Sequence, residues 1–100
     1  MEKRTPHCTL ARVHELVRAG RVRATRSAYE GALELGIRDL SGMCSVVLCL
    51  APGDFHKSMT TYADHRVWQD VYRATVEHGR SVYLKLTVID DVLIVSFKEW

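Results

Sequence analysis

Residues 55–72, FHKSMTTYADHRVWQDVY, place two histidines, a lysine, a glutamine, three hydroxyl side chains, two tyrosines and a tryptophan within eighteen positions. Amides and hydroxyls at this density hydrogen-bond a polar ligand, flat rings stack on one, and an imidazole exchanges protons near neutral pH. The segment is too polar to be core, which makes it a candidate for one wall of a binding or reacting site. A second constellation lies further along, where SVYLKLTVI and VLIVSFK flank Asp90 and Asp91. If the two aspartates turn the chain, Ile89 opposes Val92, Lys85 opposes Ser96 and Tyr83 opposes Lys98. Opposed side chains have Cβ atoms about 4.5–5.5 Å apart, so a phenol and an ammonium group would stand side by side on the outer face of a sheet.

The elements that must position these groups follow from the spacing of apolar residues. In the proposed hairpin Val82, Leu84, Leu86 and Val88 point one way, joined by Leu93, Val95 and Phe97, and this is the core face. VWQDVYR supplies another alternating strand. The first half of the chain is helical in texture. Thr5 and Pro6 suit an N-cap and first helical position, Leu10, Val13, Leu16 and Val17 share a face, and Gly20 suits a stop, so the first helix spans about 6–19. A second helix, capped by Thr25 or Ser27, turns Ala28, Ala32, Leu33 and Leu35 inward and ends at Gly36; Val22 lies in a short extended piece between them. In GMCSVVLCLAPGD, Met43, Val46, Val47 and Leu50 fit a short buried helix stopped by Pro52 and Gly53, although a run this short and β-branched also fits a strand. Helices followed by a run of antiparallel strands give an α+β fold with the helices on one sheet face and the other face open to a ligand.

One hundred residues, 47% hydrophobic and 26% charged, suit a single globular domain at 1–100 that needs neither metal nor disulfide to fold. The longest apolar run, Val46 to Ala51, is far short of the roughly 20 residues that cross a bilayer, and MEKRTPHC has no apolar signal region, so a soluble cytoplasmic protein with no membrane partner is expected. Cys8, Cys44 and Cys49 lack metal-ligand spacing and read as buried thiols in a reducing compartment; no H-x₃-H or C-x₂-C pattern supports zinc. The net charge is only +2, but Arg18, Arg21, Arg23 and Arg26 fall within nine residues without an acid. That run could grip phosphates, or simply be a solvated helix end.

HKSMTTY at 56–62, DHRVWQDVYR at 64–73, the ending TVIDDVLIVSFKEW and the opening MEKRTPH resemble the MqsR toxin family over essentially the whole chain. The resemblance implies a fold related to the RelE and YoeB ribonuclease toxins. It also implies an mRNA interferase that cuts single-stranded mRNA at short GC-containing sites, typically GCU, without a metal or other cofactor. The implied partner is an MqsA-like antitoxin with a zinc-binding N-terminal part and a DNA-binding helix-turn-helix part. Carried over residue by residue, the lysine of FxKS is Lys57, the glutamine of WQDVY is Gln69, the tyrosine of VYLK is Tyr83 and the lysine of SFKE is Lys98. Two positions depart from the family pattern: Ala74, where proline is expected and loop geometry would be affected, and the terminal Trp100.

Metal-free RNA cleavage sends the ribose 2′-hydroxyl against the neighbouring phosphate, which requires a base, an acid for the leaving 5′-oxygen and positive charge on the phosphate. On that chemistry Lys57 and Lys98 hold the phosphate, Tyr83 donates or orients, and Gln69 holds substrate by its amide. One lysine could be the base if a second cation lowered its pKa. His56 is a candidate for catalysis or RNA contact, or a solvated imidazole; His65 reads as a turn residue bonded to Asp64; His7, His14 and His78 read as structural or exposed. Tyr62, Trp68 and Tyr72 could stack bases, with core packing the competing reading for Trp68 and Tyr72. Arg73 and Lys85 could add phosphate contacts. Two other functions fit the same residues: a non-catalytic RNA-binding or regulatory module, and a structural subunit whose exposed sheet only docks protein.

Overall fold

Thr9, not Thr5, starts the first helix. Its hydroxyl accepts from the Arg12 N–H at 3.2 Å in the computed structural model, which describes all of residues 1–100. The helix α1, Leu10–Arg18, buries Val13, Leu16 and Val17. It begins later than Pro6 because the buried Asp70 carboxylate takes the His7 N–H at 2.9 Å and the Cys8 N–H at 3.1 Å, holding both residues against the sheet in a non-helical turn. After Gly20, whose φ of +77° few other residues adopt, comes the strand β2, Val22–Ala24, as the extended piece predicted there.

Helix α2, Arg26–Glu34, is capped by Thr25, whose hydroxyl accepts from the Ala28 N–H. Ala28 and Ala32 are buried, but Leu33, expected inward, is 61% exposed: it lies on the far side of a nine-residue helix that touches the sheet along a narrow small-residue stripe. Gly31 lies on that stripe, where a Cβ would collide with the Phe97 carbonyl. Helix α3, Leu40–Leu48, is capped by Asp39 and buries Met43 and Val47, which resolves the helix-or-strand ambiguity of this run. Burial of Leu50 continues the same apolar face.

The sheet is built from β1 (Glu2–Lys3), β3 (Phe55–Thr60), β4 (Trp68–Thr75), β5 (Ser81–Ile89), β6 (Asp91–Glu99) and β2, in the order β1-β3-β4-β5-β6-β2. All neighbours are antiparallel except β2, which runs parallel to β6. The helices cover one face, where Tyr72, Ala74, Val82, Leu84, Leu86, Val92, Ile94 and Phe97 meet α1, α2 and α3 in one apolar cluster. This is the α+β layering expected, with the opposite sheet face left uncovered. Ala74 is therefore a buried strand residue paired with Val82, not a loop position.

The hairpin register is half as expected. Tyr83 opposes Lys98 and Lys85 opposes Ser96, but Leu86 opposes Ile94 and Ile89 opposes Asp91, so Val95 is an extra residue, a β-bulge. The turn pivots on Asp90 at φ +64°. The bulge reverses the alternation in β6: Val92, Ile94 and Phe97 are buried, whereas Leu93 and Val95, expected in the core, are only half-buried. Thr25 holds it in place, with its N–H on the Ile94 carbonyl at 3.0 Å and its hydroxyl on the Val95 carbonyl at 2.8 Å.

Candidate active site

Directly paired residues share a sheet face, so the register lays out the uncovered surface in rows. One row is Arg73, Tyr83 and Lys98; the next is Lys57, Val71, Lys85 and Ser96; Met59 and Gln69 begin a third. Successive rows lie about 7 Å apart, two residues along a strand. Three lysines and an arginine thus share one face with Tyr83: Lys98 and Arg73 directly beside it, Lys85 one row on, and Lys57 in that next row two strands away. Arg23, paired with Leu93 on β2, extends the same face, while two other members of the arginine run are held elsewhere, Arg21 by Asp91 at 2.8 Å and Arg26 by Glu30 at 3.1 Å.

The Lys98 ammonium lies 5.2 Å from the centroid of the Tyr83 ring. Lys57 Nζ donates to Glu2 Oε1 at 2.7 Å, and this bond, more than any other influence, lowers the pKa of Glu2. Glu2 was not anticipated; it reaches the face because β1 pairs with β3, Glu2 opposite Met59. Between Lys57 and Lys85, Val71 is fully buried yet stands outside the core cluster. It gives the uncovered face an apolar point between two lysines, with which it is directly paired. Burial, then the charges of Lys98 and Lys57, lower the pKa of Lys85.

One row beyond the first, where the Trp100 N–H meets the Ser81 carbonyl, the indole of Trp100 packs among polar groups. The Arg73 guanidinium carbon is 4.8 Å from its ring centroid, Tyr83 is 5.8 Å away centroid to centroid, and His56 meets it edge-on at 5.1 Å. His56 arrives there through the irregularity in pairing between Phe55 and Lys57. Trp100 entered the sequence reading only as a departure; its signal was the strand alternation, which puts it on the same side as Lys98.

Other candidates lie apart. Tyr62 is fully exposed in the loop after β3 and lines a hollow with Met1, Glu2, Met59 and His65, which none of the lysines enters. Tyr72 is in the core on the helix side, its hydroxyl without a partner and its pKa pushed up to about 12 by burial, then by Asp70 and Cys8. Trp68 packs against His7 at 5.8 Å and under the Lys3 ammonium at 4.1 Å. Core packing therefore holds for Tyr72, whereas Trp68 is half-buried against the N-terminal residues, outside the apolar cluster. His65 does not bond Asp64, whose carboxylate is taken by Arg66 at 2.9 and 3.1 Å, and this lowers its pKa. The thiols are less buried than expected: Cys8 and Cys44 are partly covered, with pKa raised chiefly by that burial, and Cys49 is exposed. No helix is long and apolar enough to cross a membrane.

None of the hollows in the surface is lined by Lys57, Gln69, Tyr83, Lys85 or Lys98. The cationic face is shallow, suited to an extended anionic chain rather than an enclosed small molecule. Fold and face together define a small α+β protein whose uncovered sheet presents ammonium, guanidinium and phenol groups on one side. The chain matches, over residues 5–99, the family described as "Motility quorum-sensing regulator, toxin of MqsA". It is 63% identical over 99 residues, 99% of each chain, to the mRNA interferase toxin MqsR of Escherichia coli (strain K12). The chain belongs to the MqsR toxin family.

Proposed function

We propose that this chain is an endoribonuclease toxin that cuts single-stranded mRNA in the cytoplasm at GC-containing, GCU-type sites, without a metal, and is neutralised by an MqsA-like antitoxin carrying a zinc-binding part and a helix-turn-helix part. The observation that carries the reading is that Lys57, Lys85 and Lys98 share one uncovered, shallow face with Tyr83, with Lys98 directly beside it. Membership of a family described as the toxin of MqsA, and the mRNA interferase name of the relative from Escherichia coli, support it.

In this mechanism Lys57 and Lys98 neutralise the scissile phosphate, and RNA displaces the Glu2 carboxylate from Lys57. Lys85, its ammonium form disfavoured by burial and by two cations, takes the proton of the 2′-hydroxyl as that oxygen attacks phosphorus. Tyr83 gives its proton to the leaving 5′-oxygen, so the P–O5′ bond breaks and a 2′,3′-cyclic phosphate and a 5′-hydroxyl result. Gln69, in the third row, binds a nearby base through its amide. Arg73, and His56 at the edge of the face, add contacts to the strand.

The test is to incubate purified protein with a GCU-containing transcript in EDTA without ribosomes. Cleavage within that triplet, lost when it is changed, is the expected result. Intact RNA retained by the protein would favour a non-catalytic RNA-binding module, and neither cutting nor salt-sensitive binding would leave a protein-docking surface.

A further inference from the structure

Trp100 has surroundings that neither core packing nor the proposed chemistry accounts for. A large apolar ring on the face opposite the core is 44% exposed, one row beyond the one that holds Tyr83 and Lys98. Its main chain is fixed, because the Trp100 N–H donates to the Ser81 carbonyl at 2.9 Å. Three side chains fix the ring: Arg73, Tyr83 and His56, at 4.8, 5.8 and 5.1 Å. The indole is thus held in one orientation without being covered, which is the condition under which a flat side chain binds a flat ligand without a large ordering cost.

We propose that Trp100, with His56 and Arg73 beside it, forms a stacking subsite for the nucleobase next to the scissile phosphate. This deepens the reading of the face as an RNA-cleaving site and rests on it. The phosphate of that nucleotide lies on Lys98 and Tyr83, and its base turns outward onto the indole. Arg73 serves both parts: its guanidinium packs on the ring, and its hydrogen-bond donors stay free for phosphate oxygen. A base held at this point fixes the backbone over Tyr83, so the subsite selects for unpaired RNA; a base inside a duplex has its faces already stacked.

The experiment compares wild type with Trp100→Ala in binding a GCU-containing 2′-O-methyl oligoribonucleotide, which cannot be cut, and versions of it abasic at one position at a time. One abasic position should weaken binding to wild type by about 5- to 150-fold, the worth of one stacked base. Trp100→Ala should lose a similar factor on intact RNA and show no further loss with that abasic version. Trp100→Phe should keep most of the affinity. If Trp100→Ala melts early, Trp100→Leu replaces it, keeping bulk without a π face. Equal affinity of wild type and variant for every RNA overturns the subsite while leaving the RNA-cleaving reading intact. So does a uniform loss that ignores the abasic position, since the indole would then only hold Arg73. If wild type binds none of these RNAs, the reading of the whole face fails and the subsite with it.

Discussion

Tyr83 and Lys98 stand directly opposite each other on β5 and β6, with the ammonium 5.2 Å from the centre of the phenol ring. Backbone pairing alone brings a proton donor and a phosphate-binding charge together, and neither is buried in the core. Tyr83→Phe and Lys98→Met should therefore each lower single-turnover cleavage by about 10²- to 10⁴-fold, with thermal unfolding little changed. Because the two groups would serve one transition state, the double variant should lose little more than the worse single one. Full activity in either folded variant would remove that residue from the mechanism.

Lys85 leads to a pH prediction. Its pKa in the folded protein is lowered, first by burial and then by Lys98 and Lys57. If Lys85 is the base, cleavage should rise with pH until its lowered pKa is passed. Lys57→Gln removes one of the two repelling charges, so the rising limb of the residual activity should move to higher pH.

The same shift bears on stability. A lysine whose folded pKa lies below its unfolded value binds fewer protons when folded, so it destabilises the fold at neutral pH and the penalty fades as pH rises through the interval between the two. Lys85→Met should raise the melting temperature at pH 7 by about 2–5 °C, the usual yield of removing an unfavourable charge from a small domain. The gain should shrink above pH 10, and a lower melting temperature would contradict the assigned strain.

Gly31 sits where α2 approaches β6 most closely. A methyl group there meets the Phe97 carbonyl, a backbone atom that cannot swing aside. Gly31→Ala should cost about 1–3 kcal/mol in urea unfolding, as overpacking does. It should also reduce cleavage, because relief requires moving the strand that carries Lys98.

Two buried polar groups should respond in opposite ways. Asp70 accepts from the His7 and Cys8 N–H groups, so Asp70→Asn should lose about 1.5–3 kcal/mol of stability, the range for hydrogen bonds to a charged group. The Tyr72 hydroxyl has no partner, so Tyr72→Phe should be neutral or stabilising by up to about 1 kcal/mol. Neither residue faces the cationic rows, and Tyr72→Phe should leave cleavage unchanged.

Much of this arrangement was legible from local pattern. Apolar periodicity and turn residues located all three helices, and alternation paired Tyr83 with Lys98 and Lys85 with Ser96. The parts that were not legible depend on distant partners. The start of α1 moved to Thr9 because Asp70, more than sixty residues away, captures the preceding N–H groups. The bulge at Val95 follows from Thr25 seventy residues earlier, and the Glu2–Lys57 bond requires β1 to join the sheet. Residue type offered base stacking for Tyr72 beside core packing, and only the fold decides for the core.

The extra residue at Val95 makes β6 two short strands geared in opposite phase. Its distal half keeps Val92 and Ile94 against the helices, and its proximal half keeps Ser96 and Lys98 turned away from them. Deleting Val95 would join Ile94 directly to Ser96, opposite Leu86 and Lys85, and leave one evenly alternating strand with both halves facing as they do now. What would go is the carbonyl that receives the Thr25 hydroxyl. The surplus residue thus serves the anchorage of α2 on the sheet, while the outward aim of Ser96 and Lys98 is set by their partners on β5.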